Sequence, residues 1–302
     1  MATSQVHTEG PAPTLRPRRR MPMALVTWVF VVLVLLIVVV LLVVKVARGS
    51  TTVHGPPVSL APVGVVQAVT SIPASVYDAV GAPPLASSGA AVLSGQRALV
   101  VSGRPAVVYV GAEFCPYCAA ERWALVAALG RFGTFVHLGA TASARADVFA
   151  RTPTFSFDGT SYRSRYVSFD AVEEYDDSLS PVVPAGFSLL HAPGPLAWGL
   201  LRRYDTEPLV PGSGTVPFVD VDNRLVVSGT GIGFSPGVFQ GKTMAQVAAD
   251  LADPTRADTQ DVLGEANLIS AALCAATDGR PAAVCGSAGV VAGARRLGLP
   301  AR

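Results

Sequence analysis

The motif Cys115-Pro116-Tyr117-Cys118 stands between the apolar run Ala106-Val-Val-Tyr-Val110 and a stretch of good helix formers, Ala119 to Leu129, which Gly130 follows. The first run, rich in β-branched residues, predicts a strand, and the second stretch predicts a helix that the motif opens. A helix N-terminus offers free backbone N–H groups and a partial positive charge, and both favour a thiolate. We therefore predict that the Cys115 thiol has a lowered pKa and is the attacking nucleophile.

The other residues of the motif fit the same interpretation. Cys118 lies one helical turn after Cys115, close enough to close a disulfide with it or to resolve a mixed disulfide. Pro116 suits the first helical turn, where its missing N–H costs no hydrogen bond. The spacing thus predicts a pair of cysteines that exchange disulfides.

An apolar segment precedes this region. The chain has 302 residues, enough for one or two domains, and Met23 to Val44 is an unbroken run of uncharged, mostly apolar residues, long enough to cross a bilayer as one helix. A basic cluster from Arg16 to Arg20 precedes the run, whereas Lys45 and Arg48 follow it. By the positive-inside rule, we expect a single-pass cell-membrane protein with a cytoplasmic N-terminus and an extracytoplasmic C-terminal domain.

Charge gives little indication of other partners. The formal net charge is +2, and the positive excess is concentrated before the apolar run. Beyond that run, basic and aromatic residues do not alternate as they do in nucleic-acid-binding surfaces. We therefore expect the lipid bilayer, through residues 23–44, and no nucleic acid among the partners.

The four cysteines form two local pairs, and an even number in an extracytoplasmic domain favours disulfides. Cys274 and Cys285 are separated by a segment that contains the turn formers Asp278-Gly279 and Pro281. We predict that Cys274 ends a helix and that Cys285 returns to form a structural disulfide with it. The alternative is a second redox centre that relays electrons to the first pair, but no helix N-terminus follows Cys274.

The remaining patterns predict further elements. They are two short helices in 65–80 separated at Pro73, strands at 98–101 and 134–138, a hairpin of 154–157 with 162–169, a solvated acidic loop at 173–177, a helix at 196–204, a strand from Thr215 to Val221, a tight turn at Asp222-Asn223, a return strand at 224–227, a helix capped by Thr243 and Gln246, and a helix at 258–276.

This order of elements resembles the thioredoxin superfamily, through Phe114 and the cysteine motif after a strand and through Val216-Pro217 at the start of the closing ββα unit. The resemblance implies an α/β fold, a mixed sheet flanked by helices. It also implies that the bond before Pro217 is cis, that Pro217 packs beside the motif, and that Val216 offers backbone groups to the substrate. Together with Pro116 and Tyr117, these residues are expected to form the substrate-docking surface.

The whole chain is most similar to an uncharacterised family of membrane-anchored thioredoxin-like proteins from actinobacteria and archaea. The stretch Gly111 to Trp123 and the Cys274/Cys285 pair carry that similarity. An insert at this point of the fold is reminiscent of DsbA-like enzymes, although here it reads partly as β. We therefore expect a disordered cytoplasmic tail (1–22), a transmembrane helix (23–44), a linker (45–61), a thioredoxin-like domain (62–285) with an insert at about 141–193 and a helical extension at 255–285, and a flexible tail (286–302).

Two positions depart from the thioredoxin pattern. Many thioredoxins have a buried acid six residues before the first cysteine, and here that residue is Tyr109. The resemblance therefore implies that the usual proton relay is missing. Glu113 lies nearby, and we expect it to be an exposed carboxylate on the surface.

Three other functions are compatible with parts of the sequence. A zinc site would need a second close pair of ligands, whereas His7, His54, His137 and His191 are scattered. Copper(I) chaperones of similar fold use CxxxC spacing and a distant histidine, and a non-catalytic scaffold could retain the motif without turnover. The expected function is thiol–disulfide exchange on protein cysteines, with no diffusible cofactor and with a redox partner that recycles Cys115 and Cys118.

Overall fold

The computed structural model describes residues 23–47, 59–85, 89–179, 186–210, 213–229 and 233–300, with side chains from 27 to 40 in the first range. The predicted tail 1–22 and residues 48–58 of the predicted linker lie outside the described residues.

The helices are α1 (Met23–Ala47), α2 (Val63–Thr70), α3 (Ala74–Val80), α4 (Pro116–Gly130), α5 (Pro195–Tyr204), α6 (Met244–Asp250), α7 (Ala257–Ala276), α8 (Ala282–Cys285) and α9 (Ala288–Leu297), and a 3-10 helix covers Pro236–Phe239. The strands are β1 (Ser59–Leu60), β2 (Ala90–Val92), β3 (Val100–Val101), β4 (Arg104–Gly111), β5 (Thr134–Val136), β6 (Gly139–Ala142), β7 (Pro153–Ser156), β8 (Ser161–Arg163), β9 (Ser168–Glu173), β10 (Tyr175–Leu179), β11 (Phe187–Leu189), β12 (Phe218–Val221) and β13 (Leu225–Ser228).

The chain divides into two compact units, Met1–Thr51 and Thr52–Arg302. The first contains α1, whose described side chains, from 27 to 40, are all exposed. In the part of the chain that the structure describes, no one helix has both the length and the apolar composition needed to cross a membrane, although α2 and α3, bent by 63°, meet that test as a pair. The span at 23–44 stays a prediction.

A six-stranded mixed sheet lies at the centre of the second unit, which confirms the α/β class. Its order is β2-β13-β12-β4-β3, and β9 also pairs with β4. β9 runs parallel to β4, whereas β12 runs antiparallel on the other side. The predicted tight turn between β12 and β13 is confirmed, with Asp222 and Asn223 at φ values of 53° and 52°. β4 is therefore an inner strand, and its carboxyl end leads directly into the cysteine motif.

Both faces of β4 are covered. Val107 and Tyr109 belong to the larger core, which includes α4 and α7, whereas Val108 and Val110 belong to a smaller core with α5. A strand that is buried on both faces needs apolar residues at successive positions, which explains the continuous run in the sequence. The cysteine motif thus follows one of the most deeply buried strands.

Helix α4 is buried on nearly all sides because it packs against α2, α7 and β7. Trp123 is fully buried, and its Nε1 donates a hydrogen bond to the Pro153 carbonyl at 2.8 Å. Thr154 Oγ1 donates to the Ala119 carbonyl at 2.7 Å, close to the first turn of the helix. These two contacts tie α4 to β7.

Several predicted helices are confirmed. Pro73 separates α2 from α3, α5 and α7 match their predicted ranges to within a residue, and the capping box of Thr243 and Gln246 is present at α6. Of these helices, α2, α3 and α5 begin at a proline and α6 at a capping box, whereas α7 begins after Arg256 without a side-chain cap. Local patterns therefore predicted these elements well.

The predicted hairpin of 154–157 with 162–169 is wrong. β7 pairs with β6, and β8 pairs with β5, so that residues 134–136 of the predicted strand belong to a separate two-stranded sheet. His137 has a φ of 58°, and this left-handed conformation separates β5 from β6. The kink divides the pairing into two short ladders.

The prediction that residues 173–177 form a solvated acidic loop is also wrong. Residues 168–173 form β9 in the central sheet, within the segment predicted as an insert, and residues 175–179 form β10, which pairs with β11. Glu173 and Asp176 are buried. Their burial is possible because Glu173 pairs with the guanidinium of Arg122, and Asp176 accepts hydrogen bonds from the backbone N–H groups of Ser178 and Ser188. Polar partners from distant elements satisfy these acids.

The described part of the predicted flexible tail is instead the packed helix α9. Val290, Ala294 and Leu297 are buried, and α9 lies against α7. A Cβ at Gly293 would lie 2.7 Å from the carbonyl oxygen of Asn267, so the small residues permit close contact between the two helices. Their small size, which suggested flexibility, is needed for packing.

We predict that Gly293→Ala destabilises the protein by about 1–3 kcal/mol, because the added methyl group has no room beside Asn267. Gly199→Ala is the matched control in α5, where a Cβ meets no atom within 4 Å, and it should be stabilising by up to about 1 kcal/mol. Urea unfolding of the full chain measures both. Equal stability of the two variants would contradict the packing of α9.

Candidate functional site

The first turn of α4 holds both cysteines, in the reduced form. Cys115 is the N-cap residue, and its Sγ accepts a hydrogen bond from the backbone N–H of Cys118 at 3.3 Å. Pro116 occupies the first helical position and is buried. Cys115 is 7% exposed and Cys118 is 0% exposed, so that of the two cysteines only Cys115 retains any solvent-accessible surface.

The surroundings act on the two thiols in opposite directions. The pKa of the Cys115 thiol is lowered, chiefly by the hydrogen bond from the Cys118 side chain, which outweighs the effect of burial, and the backbone N–H groups of Cys118 and Tyr117 add to it. Burial raises the pKa of Cys118 well above its usual value, and the bond to Cys115 raises it further. This asymmetry makes Cys115 the better nucleophile of the pair.

The structure places Val216 and Pro217 beside Cys115. The Cys115 thiol donates to the Val216 carbonyl at 3.6 Å, and the peptide bond between Val216 and Pro217 is cis. Pro217 is buried and Val216 is half-buried. The motif and the X-Pro pair, which are separated by about a hundred residues in the sequence, therefore meet at one site.

A buried carboxylate supports the loop that carries this proline. Asp205 accepts hydrogen bonds from the backbone N–H of Thr215 at 3.0 Å, from the Thr215 hydroxyl at 3.1 Å and from the Ser228 hydroxyl at 2.5 Å. Asp205 is 1% exposed, and Thr215 immediately precedes Val216. The sequence analysis missed this cluster, because nothing in the sequence shows that residues 205, 215 and 228 meet.

Aromatic side chains surround the motif. Phe114 stacks on Phe187 with ring centroids 4.1 Å apart and contacts Tyr175 at 6.2 Å. Tyr117, which is half-buried, meets Phe149 edge-on at 6.2 Å. The surface around Cys115 is therefore apolar, and such a surface suits contact with an extended, partly unfolded polypeptide.

A buried ion pair lies under the motif. Arg122 donates from Nε to Glu173 Oε1 at 2.8 Å and from Nη2 to Glu173 Oε2 at 2.6 Å, and Nη2 also donates to the Ala112 carbonyl at 2.8 Å. Both side chains are 0% exposed. Arg122 follows Cys118 by four residues and so shares its face of the helix, and this spacing was available in the sequence.

The prediction that Glu113 is an exposed surface carboxylate is wrong. Glu113 is 3% exposed and accepts a hydrogen bond from the Ser156 hydroxyl at 2.5 Å. Burial raises the pKa of Glu113 to about 7, and the bond from Ser156 limits the rise. Tyr109 is fully buried at the position of the expected acid, and its hydroxyl has no hydrogen-bond partner among the described residues.

A second group of acids lies between α4 and α7. Glu121 is fully buried, and neither of its carboxylate oxygens has a hydrogen-bond partner among the described residues. Burial raises the pKa of Glu121 to about 8. Burial and the charge of Glu121 raise the pKa of Glu265, on α7, well above its usual value. With its pKa of about 8, Glu121 is mostly protonated at pH 7.

The other candidate residues lie apart from the motif. Cys274 at the end of α7 and Cys285 in α8 form a disulfide with a Cα–Cα distance of 5.5 Å. His137 is exposed, and His191 contacts Asp158 at 2.8 Å. Among the described residues, no group of three or more His, Cys, Asp or Glu side chains is arranged to hold a metal ion. His7 and His54 lie outside the described residues.

Comparison with known proteins yields one match. A family model described as a domain of unknown function, DUF929, matches residues 92–275, which is more than half of the chain. The matched range contains the cysteine motif and Val216-Pro217, and it ends before Cys285. No curated protein and no solved structure matches the chain.

The raised carboxyl pKa values predict that stability falls as pH rises from 5 to 8. In this window the unfolded state has lost the proton of Glu121, whereas the folded state retains it up to its pKa of about 8. We therefore expect Glu121→Gln to stabilise the full chain by roughly 3 kcal/mol at pH 8 and to have little effect at pH 4.5.

Thermal unfolding at the two pH values measures this difference. Asp170→Asn, at an exposed position of β9, is the control, and it should leave the pH dependence unchanged. A Glu121→Gln chain that loses stability equally at both pH values would contradict the protonated state of this carboxyl group.

Proposed function

This chain belongs to the DUF929 family, and we propose that it is a thioredoxin-like thiol–disulfide oxidoreductase that acts on protein cysteines. The observation that carries the proposal is the placement of Cys115 Sγ, which accepts the N–H of Cys118 at the start of α4 and lies 3.6 Å from the Val216 carbonyl. A nucleophile with a lowered pKa, a resolving thiol and a backbone acceptor are then together at one site.

The strand order supports the thioredoxin-like part of the proposal. The cysteines follow an inner strand, β4, that has a parallel partner on one side and an antiparallel partner on the other. The cis proline immediately precedes that antiparallel partner, β12, and a hairpin leads on to β13. This is the arrangement that the resemblance to the thioredoxin superfamily implies.

The proposed reaction has two exchange steps. The Cys115 thiolate attacks a substrate disulfide, forms a mixed disulfide and releases one substrate thiolate. The Cys118 thiolate then attacks the Cys115 sulfur, closes the Cys115–Cys118 disulfide and releases the second substrate thiolate. Two electrons pass from the pair to the substrate, and the reverse sequence oxidises a substrate dithiol. A separate redox partner returns the pair to its starting state.

The roles of the other residues follow from their positions. Val216 and Pro217, with Pro116 and Tyr117, form the docking surface, and the Val216 carbonyl is the group offered to an extended substrate chain. The Cys274–Cys285 disulfide has a structural role, because it closes the end of α7 away from the motif. Residues 23–44 anchor the protein in a membrane and place this domain outside the cell.

Capture of substrates tests the assigned roles. We expect Cys118→Ala to accumulate mixed disulfides between Cys115 and substrate proteins, because the resolving thiol is absent. Cys115→Ala should form none, since its remaining motif thiol is fully buried. Non-reducing electrophoresis and mass spectrometry of the cross-linked peptides measure both variants. Equal trapping by the two would contradict the assignment, and absence of trapping in both would favour a scaffold.

A further inference from the structure

Arg122 is a buried cationic side chain that takes no direct part in the two exchange steps. Its side chain is 0% exposed and its Nη1 has no hydrogen-bond partner among the described residues, although Nε and Nη2 are both used. A buried cationic donor without a partner is costly to the fold. Such a group is therefore a candidate for a role in chemistry.

The resolving step creates a need for a positive charge. Only the thiolate of Cys118 can attack the Cys115 sulfur, yet Cys118 is 0% exposed and burial disfavours its charged form. In the thioredoxin pattern, a buried acid six residues before the first cysteine relays the proton. Here Tyr109 occupies that position, and because burial raises the pKa of its hydroxyl well above the usual value, the hydroxyl keeps its proton and does not accept the one from Cys118.

The guanidinium is bonded to a residue that packs against the two cysteines. Arg122 lies one helical turn after Cys118, and its Nη2 donates to the carbonyl of Ala112, which packs in one cluster with Cys115 and Cys118. Glu173 on β9 binds the Nε–Nη2 edge of the guanidinium, and the same Nη2 donates to Ala112, so the group is held in place beside the cluster. The Arg122 charge acts in the required direction, since it favours the thiolate of both cysteines.

We infer that Arg122 is a positioning residue for thiol–disulfide exchange, which stabilises the Cys118 thiolate by its fixed positive charge in place of a proton-accepting acid. The inference rests on the proposed function of the motif. In the resolving step, Cys118 gives its proton to water or to the departing substrate thiolate, its thiolate forms the bond to Cys115 Sγ, and the bond between Cys115 and the substrate breaks. Arg122 keeps its protons throughout.

Other charged groups face the same cluster and enter the test. Cys115 and Arg122 act on Cys118, Glu173 from β9 and Tyr109 from β4 act on Arg122, and Arg122 acts on Glu113 in the segment after β4. Glu113 has a pKa of about 7 and is the competing candidate, because it could serve as the proton acceptor itself. The two roles predict different results for the same variants.

The resolving step can be isolated with an aromatic disulfide, 5,5′-dithiobis(2-nitrobenzoate), and the full reduced chain. Cys115 attacks the reagent and releases one thionitrobenzoate, and Cys118 releases the second at a rate independent of reagent concentration. We expect Arg122→Gln with Glu173→Gln, which neutralises the pair, to move the pH profile of the second release upward by about one unit. At pH 7 this release would be about tenfold slower than in the wild type.

Glu173→Gln alone gives the opposite expectation. It removes the negative charge and leaves Arg122 cationic, so the second release should be faster than in the wild type at pH 7. A purely structural role of the ion pair would slow both variants. A slower second release in a folded Glu173→Gln chain overturns the inference by itself. The double variant leaves no unpaired buried charge, so an unchanged pH profile in that variant overturns the inference if the single variant does not fold.

Three controls separate this inference from its alternatives. Lys242→Gln with Asp258→Asn removes an ion pair that joins α7 to the segment before α6, and it should leave the profile unchanged. Tyr109→Phe should also leave it unchanged. Glu113→Gln should not slow the second release, and a slower release would assign the proton transfer to Glu113. Absence of any second release from the wild type would instead refute the proposed exchange function.

Discussion

The structure depends on how the first turn of α4 is held at the carboxyl end of β4. A helix that begins there directs its free N–H groups at the sulfur of its own N-cap residue, Cys115. That geometry persists only if the helix cannot slide or rotate, and α4 is fixed by the buried Trp123, by Thr154 on β7 and by the ion pair of Arg122 with Glu173 on β9. The chemistry of one sulfur thus rests on the packing of a whole helix.

The burial of charged groups is the main cost of this arrangement. The interior between the sheet and α4 contains the Arg122–Glu173 pair and Glu113, whose pKa is raised to about 7, and the contact of α4 with α7 contains Glu121. Replacing one member of a buried ion pair is strongly destabilising, whereas a neutral carboxyl group costs less. The site therefore combines a fixed charge near the cysteines with buried carboxyl groups whose pKa values are raised.

The sequence predicted those parts of the fold that have local signals. The strand before the motif, the helix after it, the turn at Asp222-Asn223 and the capping box at Thr243 need only neighbouring residues to specify them. The pairing of β4 with β9 has no such signal, because it depends on contacts between residues some sixty positions apart. For the same reason the sequence did not show that Glu113 is buried, since its partner Ser156 comes from β7.

The C-terminal residues show a different kind of error. Residues 286–302 were predicted to be a flexible tail, yet Gly289 and Gly293, four residues apart, both lie on the face of α9 that meets Asn267 of α7. That spacing was visible in the sequence, and it is the signal that could have identified the helix. The proposed function also depends on an inference from position to chemistry, because the reactivity of Cys115 is inferred from its place at the start of α4.

The most direct test of that inference is the pKa of the Cys115 thiol, measured from the pH dependence of its alkylation by iodoacetamide in the reduced full chain. A pKa clearly below the value of about 8.5 for an unperturbed cysteine is the result that the account predicts. A pKa at or above that value would contradict it, because the helix N-terminus and the neighbouring Cys118 would then have no effect on the sulfur.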